Sequence, residues 1–259
     1  MFKNTTLIAI LAVLALSFTA VHAEMIQLDK ATQGDGNKGA SYRPWTDATQ
    51  TQAADFVITA RTNIDELAPL VPDATGLAGT VYIDKDKKGG KVHGAGVQTA
   101  SGGGSKGISG GGGDRDEELI FTYDQAVYLS GVSIRLGDIE FGNGVGDKDD
   151  PVIFLKTAGS QVFDVILTEA DIATGFTQIG AADKKYGQVD FNSFIATAEL
   201  NDDTAIVAFA VRETNGHLYV NGVSNANGNV VPEPATMALL AFGGMMIASR
   251  RRRNKACRI

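Results

Sequence analysis

Between residues 24 and 231 the sequence predicts an all-β fold, an antiparallel β-sandwich. Three observations point there. Short stretches alternate apolar and polar residues at a period of two, Gly, Asn and Asp punctuate them throughout, and no long stretch shows the 3.6-residue periodicity of an amphipathic helix. An all-β chain with many short strands and frequent turns must bury one sheet face against another.

Taken in order, residues 24–51 are mostly polar and predict an irregular N-terminal segment. It holds Trp45, which reads as a packing anchor or as a platform for stacking a sugar. Residues 55–60 predict a strand, 64–68 a helical turn before Pro69, and 79–84 a strand with Val81 and Ile83 on one face. Residues 94–113 are so rich in Gly and Ser that they predict a loop. Residues 119–124 and 127–136 predict two strands joined at Gln125-Ala126, and 152–156 and 162–167 predict a second pair across Ala158-Gly159-Ser160. Residues 187–196, 204–212 and 218–223 continue the pattern, with Asn215-Gly216 as a hairpin signal. Residues 225–231 read as a mostly polar linker.

The two ends have a different character. Residues 1–23 carry a basic Lys3, an apolar run from Leu7 to Leu16 and the small-residue site Val21-His22-Ala23, the order of a secretory signal peptide cleaved after Ala23. The run is too short for a permanent membrane helix. At the other end Pro232-Glu233-Pro234 precedes an uncharged apolar run, Ala235 to Ser249, and then Arg250, Arg251, Arg252 and Arg253. As a helix that run spans roughly 22 Å, short of the roughly 30 Å hydrocarbon core. It predicts a single short transmembrane helix. The arginines hold residues 254–259 on the cytoplasmic side and leave everything before Pro232 outside. A buried C-terminal helix is the alternative, and four adjacent arginines would have to leave that core.

Removing both ends leaves 16 of the 23 Lys and Arg and 29 of the 30 Asp and Glu, an excess of 13 negative charges on the exported part. Such a surface repels nucleic acid and anionic membrane. The one cysteine, Cys257, lies in the tail, so the domain has no disulfide or thiolate chemistry. His93 and His217 are too few for a His-rich metal centre and read as surface or strand residues.

The order Val231-Pro232-Glu233-Pro234-Ala235, short apolar helix and arginine cluster resembles the PEP-CTERM sorting domain, also catalogued as the "ice-binding protein C-terminal" family. The Met-rich helix and the extension 254–259 depart from the usual pattern without changing its order. The resemblance implies recognition near Pro-Glu-Pro by an exosortase, a membrane-embedded transpeptidase-like enzyme, in a Gram-negative bacterium that makes exopolysaccharide. Together with the reading of the N-terminus it divides the chain into a signal peptide (1–23), an exported domain (24–224), a linker (225–231), the sorting domain (232–253) and a cytoplasmic tail (254–259). More loosely, the Gly-rich loop, Asp114 to Glu118, the strands 119–124 and 218–223 and the Pro-Glu-Pro tail resemble exported β domains that accompany such tails. That likeness implies a jelly-roll-like sandwich.

Few motifs carry chemistry. Gly-x-Ser-x-Gly occurs around Ser105 and Ser109, and Gly-x-Gly-x-x-Gly over 102–107. The first needs a strand–turn–helix elbow and the second a βαβ unit, and a Gly-rich loop offers neither. Carboxylate pairs for glycoside hydrolysis are not singled out among so many acids. The acidic groups Asp114, Asp116, Glu117, Glu118 and Asp147, Asp149, Asp150 offer oxygen ligands for Ca²⁺ if their loops meet, and read otherwise as solvated turns. Asp84 to Gly89 places Lys where an EF-hand needs a ligand. The expectation is a non-enzymatic exported protein without a resident cofactor. It meets signal peptidase and the export machinery, then exosortase, and ends at the cell surface or in the extracellular polysaccharide matrix. A carbohydrate- or calcium-binding module is the alternative.

Overall fold

The computed structural model describes residues 24–64, 77–84, 94–98, 107–110, 116–139, 141, 150–179, 186–195, 198, 200–201 and 203–224. They form two sheets, and every described pairing is antiparallel. The nine-stranded sheet runs β13 (Phe176–Gln178), β14 (Tyr186–Asp190), β10 (Ser133–Gly137), β16 (Gly216–Ser224), β7 (Ala95–Gln98), β6 (Thr80–Ile83) and β2 (Gly36–Gly39). Two more of its strands, β1 (Met25–Gln27) and β8 (Ile108–Gly110), also pair with β16. The seven-stranded sheet runs β12 (Val165–Leu167), β11 (Pro151–Thr157), β15 (Ala205–Glu213), β9 (Asp116–Tyr128), β4 (Phe56–Ile64) and β3 (Ser41–Tyr42), with β5 (Leu77–Ala78) on β4. From β9 onward the chain changes sheet repeatedly: β9, β11, β12 and β15 lie in one, β10, β13, β14 and β16 in the other.

Alternation decides which side chains enter the space between the sheets. Phe56, Ile58, Phe121 and Phe209 come from the seven-stranded sheet, and Ile83, Val97, Ile134 and Val220 from the other, all fully buried in one cluster. Phe121 and Phe209 stack at 4.6 Å, and Phe191 meets Phe209 edge-on at 5.3 Å. Each buried phenyl ring contributes roughly 1.5–3 kcal/mol. A second, smaller cluster of Ile120, Phe154, Phe163, Ala208 and Ala210 lies on the alternate positions of the same strands. The segment after β11 brings Phe163 over them.

β16 is the spine of its sheet. One edge pairs with β10, and the other is shared end to end by β8 (partners Gly216 to Leu218), β7 (at Val220) and β1 (Gly222 to Ser224). The backbones approach closely here: a Cβ on Gly94 would lie 2.4 Å from the Val220 carbonyl oxygen, so the residue before β7 must be glycine.

The N-terminal segment is more ordered than its polarity predicts. Besides β1 to β3 it holds α1 (Lys30–Gln33), where Asp29 Oδ1 accepts the Thr32 N–H at 2.9 Å. Gln33, 2% exposed, organises it: its amide donates to the carbonyls of Gln27 and Trp45, and its oxygen accepts from Tyr42 Oη and Trp45 N. All four bonds of a buried amide are made, replacing a hydrophobic contact with a fully satisfied polar one.

Other expectations need correction. The Gly-rich stretch contains β7 and β8, because Ala95, Val97 and Ile108 give it a fully buried apolar contribution and β16 supplies an edge. Ile64 ends β4 instead of opening a helical turn, and 65–68 lie outside the described residues. No turn interrupts the chain at Gln125-Ala126. β9 continues to Tyr128, the turn falls at Leu129–Gly131, and β9 and β10 then lie in different sheets. Asn215-Gly216 is likewise no hairpin but a crossing between sheets, since β11 and β9 already occupy both edges of β15. Residues 187–196 split into β14 and a 3-10 turn, Phe191–Phe194. A second helix was not expected either, α2 (Glu169–Gly175), opened by the capping box of Thr168 and Asp171 and anchored by buried Ile172.

Candidate functional site

The described members of the acidic groups singled out in the sequence lie toward one end of the sandwich. β15 lies between β11 and β9, so Glu213 stands opposite Pro151 on one side and opposite Glu117 on the other. Asp116, Glu117, Glu118 and Asp150, the described members of the two groups, therefore lie toward the same end, with Glu118 opposite Arg212. Asp114, Asp147 and Asp149 lie outside the described residues. Sequence reasoning missed Glu213: it is a lone acid at a strand end, and only the register shows its neighbours.

Backbone amides hold these carboxylates. Glu213 Oε1 accepts the Asp150 N–H at 2.6 Å and the Asn215 N–H at 3.0 Å, tying the start of β11 to the sheet crossing. Glu117 Oε2 accepts the Ser109 N–H at 3.0 Å from β8. Glu117 is 5% exposed, and burial pushes its pKa up to about 8, with the Ser109 amide pulling the other way. Below that pH the carboxyl keeps its proton. A pair of acids in register across two strands disfavours two charges, which suits protonation of one. Asp116, by contrast, is buried while Asp150 is exposed. Among the described residues no group of three Asp, Glu, His or Cys is gathered closely enough to hold a metal ion.

On the neighbouring strand His217 stands opposite Ser109, next to Glu117's amide donor. The trio Ser, His and Glu invites comparison with a hydrolytic triad, but the chemistry differs. His217 Nε2 accepts the Gly107 N–H at 3.1 Å, which engages the nitrogen a serine hydroxyl would use, and the ring packs edge-on against Tyr219 at 4.8 Å. Ser109 sits in a paired strand, not at an elbow. Ser105 and His93 are outside the described residues. Trp45 is half-buried, its backbone bridged to Ala53 and bonded to Gln33.

Two Arg–carboxylate pairs bracket the sandwich. In the seven-stranded sheet Arg212 donates through Nε and Nη2 to Glu118 Oε2 at 3.2 and 2.9 Å, its guanidinium 4.7 Å from the centre of the Phe154 ring. The Arg212 and Glu118 side chains are 3% and 0% exposed. At the opposite end Arg43 grips Asp124 with two bonds of 2.6 and 2.7 Å, in the open.

The sorting-signal residues Pro232, Glu233, Pro234, Arg250, Arg251, Arg252 and Arg253, the cleavage residue Ala23 and the predicted transmembrane helix also lie outside the described residues. Among the described residues no helix is long and apolar enough to cross a membrane. For the C-terminal tail the comparison with protein families speaks instead. The chain ends in the kind of tail that directs exported proteins to a processing enzyme. Residues 230–253 match the PEP-CTERM protein-sorting motif. That match supports export, passage through the membrane and sorting with exosortase as the processing partner. No curated protein and no solved structure matches the chain.

Proposed function

We propose that the chain is a non-enzymatic exported protein of a Gram-negative bacterium, cut by signal peptidase after Ala23, held briefly in the inner membrane by its tail and delivered to the cell surface or exopolysaccharide matrix. The observation that carries this reading is the sorting motif at 230–253 behind a folded β-sandwich. Repeated passage of the chain between two antiparallel sheets supports a jelly-roll-like architecture. The engaged imidazole of His217 and the strand position of Ser109 support a role other than hydrolysis. Fractionation of cells carrying the full chain and a chain lacking residues 232–259 tests the delivery. The expected result is loss of the surface or matrix fraction on truncation, and an unchanged distribution overturns the reading.

A second reading, a calcium- or carbohydrate-binding module, draws on Glu117 standing opposite Glu213, whose carboxylate accepts the Asp150 N–H, at one end of the sandwich. Calorimetry with Ca²⁺ and a glycan array separate the two, since a purely structural protein binds neither.

A further inference from the structure

The described domain begins and ends at the same place. Met25 pairs with Ser224 and Gln27 with Gly222, so the first strand after the expected cleavage site lies against the last strand before the tail. Tyr123 Oη donates to the Ser224 carbonyl and Ser224 Oγ accepts the Ser133 N–H, which fixes this junction to both sheets. Glu213, Asp150 and Glu117 lie in the other sheet, at the end where β15 passes through Asn215 into the start of β16.

The geometry points to an end-on presentation: while the tail is in the membrane, the pole around Ser224 faces the lipid headgroups and the acidic pole faces away. This rests on the anchoring proposed above. Ten residues separate Ser224 from Ala235, the first residue of the apolar run, and bridge at most about 35 Å when fully extended. The nine residues of β16 place the acidic pole roughly 30 Å beyond the attachment point. On the N-terminal side the constraint is tighter, because only Glu24 separates Ala23 from β1. A signal peptide still inserted in the bilayer pins that same pole to it. The membrane-facing pole exposes the side chains of Ser130, Asn192, Ser193 and Asn201, and among the described residues Glu24, Asp190 and Asp203 are its exposed acids.

Single cysteines test the orientation. On a Cys257→Ser background, which removes the one native thiol, Ser130→Cys and Asn192→Cys mark the near pole and Asn215→Cys the far one; all three positions are exposed. The full chain is expressed in a host without exosortase, the outer membrane is permeabilised, and labelling by a polyethylene-glycol maleimide is timed against the same variants ending at residue 231. Ser130→Cys and Asn192→Cys are expected to label several-fold more slowly in the membrane-bound chain than in the truncated one, with Asn215→Cys labelling equally fast in both. Equal rates at both poles, or slowing at Asn215→Cys, overturn the inference while leaving the anchoring intact. A full-length chain recovered in the soluble fraction overturns the anchoring and the inference together.

Discussion

Arg212–Glu118 and Arg43–Asp124 use the same chemistry, a guanidinium giving two hydrogen bonds to a carboxylate, in opposite surroundings. Arg43 and Asp124 are 37% and 49% exposed and Arg212 and Glu118 almost fully buried. The exposed pair exchanges good hydration for a good contact and gains little. The buried pair has given up its hydration and depends on its partner and on the Phe154 ring. Geometry alone therefore does not rank two ion pairs; what each would lose by separating does.

The largest effect comes from breaking the buried pair. Arg212→Ala is expected to destabilise the domain by about 3–5 kcal/mol in urea denaturation, because Glu118 loses its hydrogen-bonded cation in a dry site. Replacing both members with apolar side chains, Arg212→Met with Glu118→Leu, is expected to recover most of that loss. A double variant as unstable as Arg212→Ala would mean that the pair itself is worth more than its burial costs.

Glu117 sharpens the contrast as a buried acid whose folded-state pKa is raised rather than lowered. Burial raises it to about 8, above its value in the unfolded chain, so between roughly pH 4.5 and 8 the folded state holds the extra proton. Its contribution is greatest at low pH and falls as pH rises, with a slope of at most about 1.4 kcal/mol per pH unit. Glu117→Gln is expected to flatten that part of the stability profile, measured as denaturation midpoints from pH 5 to 8. Asp124 behaves in the opposite sense: the Arg43 hydrogen bonds lower its pKa, and its contribution is lost as pH falls into the acid range. Arg43→Ala is the smallest effect expected, about 0–1 kcal/mol at low salt and less at high salt.

What could be read from the sequence was what is local. The sorting tail is contiguous, with its parts in fixed order, and residues 230–253 match as expected. The strands β6, β11, β15 and β16 announce themselves by alternation and by turn residues at their ends. β7 and β8 do not, because in a Gly-rich stretch one or two buried side chains and a free edge suffice to make a strand. Asn215-Gly216 carries a hairpin signal, yet which sheet receives β16 depends on what already flanks β15. Thr168 and Asp171 do spell a capping box, over a helix too short for its periodicity to show. The meeting of Glu117 with Glu213 depends on pairing between residues far apart in sequence, and no spacing rule reaches that distance.

The shared edge of β16 also sets an order of events. A chain that crosses the membrane from its N-terminus delivers β1, β7 and β8 long before the strand that holds them, so this edge stays open until residues 216–224 arrive. Closure then follows almost at once by the sorting tail, and folding and delivery become consecutive. A chain ending before Gly216 is expected to leave residues 25–28 open to protease, where the chain ending at residue 231 protects them. The last strand out is the one that shuts the domain.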